Sequence, residues 1–218
     1  MTYEELKHNE TIKTYIEAAD ASLAALGYTE HSYAHVGMTA DRCRYILETL
    51  GYDARTVELA QMAAYLHDIG NLVNRTDHSM NGAVMAFQIL TQLQFDPREI
   101  AMIVPAIGNH DEGTGKPISP LAAAMILADK SDVRRSRVRN QDESSFDIHD
   151  RVNYSVKKSE LKINEAHTLI KLKLTVDTRY GSVMDYFEIF MERMLLCRKA
   201  AEFLGMQFKL MINEQSLM

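Results

Sequence analysis

The sequence predicts a mainly α-helical protein, in which a bundle of about six helices in residues 1–140 precedes a small α+β unit in residues 150–218. Three observations support this fold class. Apolar residues recur at helical spacing through the first 137 residues. Residues 160–177 then alternate between apolar and polar side chains, as strands do. Finally, residues 182–204 carry one apolar stripe of helical period.

The helical bundle is predicted from apolar stripes that carry start and stop signals. Gly27 and Gly51 end the first two helices. Asp77 is a candidate cap for the fourth helix, and Asp96-Pro97 and Ser119-Pro120 are typical starts for the fifth and sixth. The third helix is apolar on most sides and therefore central. The six predicted helices span residues 3–26, 33–50, 54–68, 78–93, 97–108 and 121–137.

The C-terminal unit is predicted as strand, strand, helix, strand. Residues 140–150 are polar and favour a loop. The alternating residues 160–177 favour a hairpin with its turn near Asn164. A helix over 182–204 and a last strand over 207–212 complete the unit.

Composition limits the class of protein. The chain has 218 residues, a formal net charge of −6 and two cysteines. The acidic balance argues against stable nucleic-acid binding. Both cysteines lie in apolar helical patterns, which favours free buried thiols in a reducing compartment. We find no signal-peptide pattern and no apolar run of transmembrane length, and therefore expect a cytoplasmic protein without membrane contacts.

The most informative motif is His67-Asp68, at the end of the apolar third helix. Burying an imidazole and a carboxylate is costly unless a partner such as a metal ion compensates. A lone histidine on an apolar helix is more often a core residue. Here, however, His35 lies upstream, and His78, His110 and Asp129 follow in short distinctive contexts, Asp129 after the apolar run 122–128. Such a donor set suits Fe, Mn, Zn, Co or Ni.

The order of these residues resembles the HD-domain metal-dependent phosphohydrolase superfamily over about residues 30–135. The run Leu66-His67-Asp68-Ile69-Gly70 is similar to the signature of that family. Residues 78–83 resemble the helix with an extra histidine in its binuclear members. Residues 109–112 and 126–130 resemble the following histidine segment and the final aspartate helix.

The resemblance implies a site with two divalent transition metal ions. His35, His67, Asp68 and Asp129 would hold one metal. Asp68 would bridge to the second metal, which His78 and His110 complete, so Asp68 is the predicted catalytic residue. A hydroxide between the metals would attack phosphorus. The implied activity is a phosphomonoesterase or phosphodiesterase acting on a nucleotide or another small phosphorylated molecule.

The substrate contacts are less constrained by the sequence. Asn71 stands where many relatives carry a lysine, so a substrate-binding cation is missing or comes from elsewhere. If the sixth helix continues to residue 137, Lys130, Arg134 and Arg137 lie on one helical face that begins next to Asp129. Such a face suits phosphate binding. A solvated basic helix end is an equal alternative. His31, four residues before His35, is a candidate for substrate binding or for a ligand in place of His35.

Two other functions stay open at this point. The same six residues also resemble di-iron oxygenases of the HD superfamily, which cleave C–C or C–P bonds. The site would alternatively serve a non-catalytic, metal-dependent sensor or interaction protein. The C-terminal unit would either form a homodimer interface or cover the helical domain.

Overall fold

The computed structural model describes residues 1–217, and in this part of the chain nine α-helices precede and flank a four-stranded sheet. The predicted fold class is confirmed. The helices are α1 Tyr3–Lys7, α2 Glu10–Ala25, α3 Tyr33–Thr49, α4 Ala54–Leu66, α5 His78–Gln92, α6 Pro97–Gly108, α7 Pro120–Lys130, α8 Ile148–Ser155 and α9 Val183–Phe203. The strands are β1 Val156–Ile163, β2 Leu169–Val176, β3 Gln207–Ile212 and β4 Gln215–Ser216.

Capping explains most helix boundaries. The Asp96 side chain accepts from the Arg98 N–H, and Ser119 accepts from the Ala122 N–H, as their sequence contexts predict. The predicted first helix, residues 3–26, is instead two helices, α1 and α2. Asn9 interrupts it, because its side chain accepts from the Ile12 N–H and so starts a new helix. Asp77 precedes α5 in a left-handed conformation, and its side chain makes no capping hydrogen bond.

Helices α4 and α7 form the centre of the bundle. Every residue of α7 from Leu121 to Lys130 is buried, as is every residue of α4 from Leu59 to Leu66. Both helices pack against α3 and α6. The third predicted helix is therefore central, as its apolar pattern indicates, and the ends of these buried helices are where polar groups need partners.

The sixth predicted helix ends earlier than expected. Helix α7 stops at Lys130, Arg134 is extended, and a single 3₁₀ turn covers Arg135–Arg137. The premise that Lys130, Arg134 and Arg137 share one helical face is therefore wrong. The physical reason is tertiary: Asp132 turns back to bind the His35 ring, and Arg137 donates to the Glu30 and Asp132 carbonyls.

The C-terminal unit is a sheet in the order β1-β2-β3-β4, with the amphipathic helix α9 as the crossover between the parallel strands β2 and β3. The hairpin β1-β2 and the strand over residues 207–212 are confirmed. The polar segment 140–150 is not wholly a loop, because Asp147 caps α8 at its end. The division into a 1–140 and a 150–218 domain stays a prediction.

Helix α9 joins the two parts of the molecule. It packs on α7, and the apolar core runs without interruption from the helical bundle to the inner face of the sheet. Among the described residues, no helix combines the length and the apolar character needed to cross a membrane.

Candidate metal centre

The fold brings all six predicted ligands together at the ends of buried helices. His35 lies in the first turn of α3, and Asp129 lies in the last turn of α7. His67-Asp68 follows the end of α4, so the motif sits just past the helix. The other two ligands are His78, the first residue of α5, and His110, which follows α6. All six side chains are buried or nearly so.

One group of donors surrounds His35 and His67. The His35 Nε2 atom lies 3.3 Å from Asp129 Oδ1 and 3.5 Å from Asp68 Oδ2. The His67 Nε2 atom lies 3.1 Å from Asp68 Oδ2 and 3.8 Å from Asp129 Oδ1. His35, His67 and Asp129 each offer a ligand atom within 4.8 Å of the others, as a single metal ion requires.

A second group lies on the other side of Asp68. The His78 Nε2 atom is 3.7 Å from Asp68 Oδ1, the carboxylate oxygen that the first group does not use. The His78 and His110 Nε2 atoms are only 3.1 Å apart. The two oxygens of Asp68 therefore face two different sets of imidazoles.

Hydrogen bonds at the back of the rings fix which nitrogen faces the centre. The Nδ1 atoms of His67, His78 and His110 face the carbonyl oxygens of Ala64, Arg75 and Ile107 at 2.7, 3.1 and 2.7 Å. A carbonyl only accepts, so each Nδ1 carries a proton, and in the neutral form of each ring the Nε2 lone pair points inward. The fourth ring, His35, places Nδ1 2.8 Å from Asp132 Oδ2. This is the outer-shell arrangement of metal-binding histidines.

These inward lone pairs fit a cation. The lone pairs of His78 and His110 face each other, and this contact is repulsive until a positive charge lies between the two atoms. His35 Nε2, His67 Nε2 and Asp68 Oδ2 are buried and have no hydrogen-bond partner. Buried polar atoms without a partner are rare and costly, so the donor set fits a metal ion.

The protonation states of His78, His110 and Asp68 suit metal binding, whereas that of His35 must change. Burial lowers the pKa of His78 and His110, which keeps these rings neutral. Burial raises the pKa of Asp68, but the His67 and His31 rings outweigh it and hold that pKa well below its usual value. Burial and Arg137 lower the pKa of His35, but the carboxylates of Asp129, Asp132 and Asp68 raise it to about 10 overall. His35 must therefore lose a proton to bind a metal.

Three residues have supporting roles that the sequence did not predict. Asn71 is buried and donates its Nδ2 to Asp68 Oδ1 at 3.1 Å, so it positions the bridging carboxylate. Asp132 orients His35. Glu112 lies 2.7 Å from Lys130 Nζ and 2.9 Å from Arg193 Nε. The spacing of Asp132, one turn after Asp129, was a usable signal for its role. The role of Glu112 gives no local pattern, because its partner Arg193 lies 81 residues away in the sequence.

The predicted substrate contacts divide into two groups. Lys130 is buried, with its Nζ 2.8 Å from Asp129 Oδ2, and Arg134 pairs with Asp132 at 2.5 Å. Neither lines the cavity next to the ligands. His31 and Arg137 do line it. His31 packs edge-on against the His35 ring, with 5.4 Å between ring centroids.

That cavity has a volume of about 510 Å³, a size typical of small-molecule sites. Its walls come from the loop at Tyr28, from Arg75 before α5, and from helices α8 and α9, including Arg193. The C-terminal unit therefore supplies one side of this cavity. None of the six predicted ligands lines it, and His31, which packs on the His35 ring, connects it to them.

The sequence matches a known domain family and a protein of another organism. The chain is 27% identical over 186 residues to an uncharacterized protein of Methanocaldococcus jannaschii, an alignment that covers 74% of this chain and 71% of the relative. The HD domain family matches residues 32–134, the segment that contains all six ligands. Residues 32–134 therefore carry an HD domain, the domain that defines the HD metal-dependent phosphohydrolase superfamily.

Proposed function

We propose that this protein is a phosphohydrolase with two divalent transition metals per chain, which hydrolyses a phosphoester of a nucleotide or another small phosphorylated molecule. The observation that carries the proposal is the arrangement of Asp68. Its Oδ2 faces His67 at 3.1 Å, and its Oδ1 faces His78 at 3.7 Å. A carboxylate that presents one oxygen to each of two donor groups suits a bridge between two metals.

The donors divide between the two positions. His35, His67 and Asp129 would hold the first metal, His78 and His110 the second, and Asp68 both. Bound metals supply a water of lowered pKa as nucleophile and neutralise charge on the phosphoryl oxygens. The chain fixes the donors in advance: the Ala64, Arg75 and Ile107 carbonyls and the Asp132 carboxylate orient the four rings.

Part of the adjoining cavity can receive an anionic substrate. Three arginines line it, Arg75, Arg137 and Arg193, together with the carboxylates of Glu112, Asp147 and Asp150. Guanidinium groups bind phosphate through paired hydrogen bonds. Asn71 holds Asp68 in place from the side opposite the first donor group, through a hydrogen bond to Oδ1. The cavity volume suits a small phosphorylated molecule.

The test is a hydrolysis screen with metal-loaded protein. The panel contains nucleoside monophosphates, cyclic nucleotides, p-nitrophenyl phosphate and bis(p-nitrophenyl) phosphate. We expect release of phosphate or nitrophenol, with a loss of at least about 1,000-fold in Asp68→Asn. Asp41→Asn is the matched control, because Asp41 is exposed on α3, the helix that carries His35.

Two outcomes would contradict the proposal. One is fully metal-loaded protein that hydrolyses none of these esters. The other is Asp68→Asn protein that retains wild-type activity. Protein that binds iron and consumes oxygen with an organic substrate, without hydrolysis, would favour the di-iron oxygenase instead.

A further inference from the structure

The cavity near the candidate metal centre is lined by one arginine, Arg75, that forms no ion pair with any described residue. Of the arginines that line it, Arg137 lies 3.9 Å from Asp132 and Arg193 lies 2.9 Å from Glu112. In the described part of the chain, Arg75 has no carboxylate at ion-pairing distance; its guanidinium donates to the Asn71 amide oxygen at 3.4 Å and lies over the Tyr28 ring. Arg75 is half-buried, so its charge is partly withdrawn from water without an ionic partner.

The backbone of Arg75 is tied to the metal ligands. Its carbonyl oxygen faces His78 Nδ1 at 3.1 Å, so the residue that fixes the His78 ring also carries the free guanidinium. Its side chain reaches back toward Asn71, which donates to Asp68 Oδ1 at 3.1 Å. Only the Asn71 amide therefore separates the guanidinium from the carboxylate that faces both donor groups.

An aromatic ring holds the guanidinium without neutralising it. The Arg75 guanidinium carbon lies 5.6 Å from the centre of the Tyr28 ring, and both residues line the cavity. A cation over an aromatic face is oriented but keeps its full charge and its hydrogen-bond donors. The arrangement favours an anion as the missing partner.

We propose that Arg75 binds the phosphate group of the substrate, with its planar fork directed into the cavity and with Tyr28 as its support. This inference rests on the proposed function and assigns it a specificity residue. The chemical class of ligand is a phosphate ester with at least one unesterified anionic oxygen pair, because a guanidinium recognises two such oxygens at once.

The test compares the binding of inorganic phosphate to metal-loaded wild-type, Arg75→Ala and Arg75→Lys proteins by calorimetry. We expect Arg75→Ala to bind phosphate about 10- to 100-fold more weakly, at unchanged metal content and unfolding midpoint, because a hydrogen-bonded charge is lost. Arg75→Lys should recover part of the affinity, since it keeps the charge but not the fork. Arg98→Ala is the control, because Arg98 is exposed on α6.

Kinetics provide a second readout. With p-nitrophenyl phosphate, Arg75→Ala should raise KM by a larger factor than it lowers kcat, the pattern of lost ground-state binding. Wild-type protein that binds phosphate no better than Arg75→Ala does would overturn the role of Arg75 alone. Metal-loaded wild-type protein that binds no phosphate and hydrolyses no ester would instead overturn the proposed function.

Discussion

Four imidazoles and two carboxylates meet in this protein with their metal-binding atoms facing one another. The geometry follows from the tautomers: the rear hydrogen bonds of His67, His78 and His110 to carbonyl oxygens leave the Nε2 lone pairs inward. Such an arrangement is costly without a cation, because several lone pairs share a small buried volume. The same orientation prepares each ring to bind a metal without rearrangement.

Removal of single ligands should distinguish the two metal positions. We expect His67→Ala and Asp68→Ala to lose all bound metal, because these residues lie at the centre of the donor set. His78→Ala and His110→Ala should each lose one metal and retain the other. Metal content by elemental analysis after dialysis measures this, with Asp41→Ala as the control. Full metal content in His67→Ala or Asp68→Ala would contradict the assignment, and unchanged stoichiometry in His78→Ala would reduce the centre to one metal.

Metal uptake should release a proton from His35. Its pKa is raised to about 10 in the metal-free protein, so the ring is protonated at pH 7.5, whereas a ligand must offer a free lone pair. Because the His35 pKa in the folded protein exceeds the value of about 6.5 in the unfolded chain, protonation of His35 stabilises the metal-free fold. This contribution is complete at pH values below about 6.5 and is lost as the pH rises through about 10. We expect release of at least about one proton per chain at pH 7.5, measured with a pH indicator in weak buffer. Metal binding without proton release would contradict this state of His35.

At the scale of elements, the spacing between the turn after α4 and helix α5 sets the distance between Asp68 and His78. Gly70 lies at the closest approach: a Cβ atom there would come within 1.9 Å of the His78 carbonyl oxygen and 2.4 Å of the Gly82 nitrogen. Only glycine allows the two segments to pack this closely. The glycine of the motif is therefore required by the packing that places the second donor group.

We expect Gly70→Ala to lower the free energy of unfolding by about 3 kcal/mol, the upper part of the range for overpacked sites, because backbone must move. It should also lose the metal held by His78. Gly37→Ala on α3 is the matched control, since a Cβ there meets nothing within 4 Å, and it should stabilise by up to about 1 kcal/mol. Denaturant unfolding measures both. A Gly70→Ala protein with wild-type stability and metal content would contradict the argument.

The elements that the sequence predicted are those with local signals. Asp96-Pro97 and Ser119-Pro120 start helices at the expected residues, and the alternation in 160–177 gives the hairpin. A predicted helix boundary was wrong where a tertiary contact determines the local structure. Helix α7 ends at Lys130 because residues beyond it bind His35 and Glu30, although their local pattern permits a helix. Helix α8 was missed because it is only eight residues long and polar on average, which leaves a short apolar stripe.

The candidate site follows the same division. The six ligands were predicted because each stands in a short, distinctive context beside apolar helix residues, and the structure brings all six together. The supporting residues were not predicted. Asn71 was noted only as a departure from relatives, and Arg75 and Arg193 reach the cavity through the fold, from segments with no motif of their own.

At the scale of the whole molecule, helix α9 connects the sheet to the candidate metal centre. Arg193 on α9 pairs with Glu112, Glu112 with Lys130, and Lys130 with the predicted ligand Asp129. Burial raises the pKa of Glu112, but Lys130 and Arg193 outweigh it and lower that pKa. The C-terminal unit is thus tied to the centre by alternating charges, as well as by the continuous core.

Glu112→Ala should destabilise the protein, because it removes the carboxylate that pairs with both Lys130 and Arg193. We expect a loss of about 3 kcal/mol in the free energy of unfolding, the lower end for buried ion pairs because Glu112 keeps some contact with water. Glu202→Ala is the control: Glu202 pairs with Arg198 on the exposed face of α9 and should cost less than about 1 kcal/mol. Urea unfolding measures both, and equal stabilities of the two variants would refute the role of this network.

A homodimer through the C-terminal unit stays a prediction. The edge strand β1 carries Lys157, Lys158 and Lys162 along its exposed side, and lysines on an edge strand disfavour pairing with another sheet. The contact of α9 with α7 instead agrees with the alternative, in which this unit covers the helical domain.

Elemental analysis of protein purified anaerobically without chelator measures whether the centre holds two metals. We expect about two transition metal ions per chain, one for each group of donors around Asp68. One metal ion or none, even after reconstitution with Fe, Mn, Zn, Co or Ni, would contradict it.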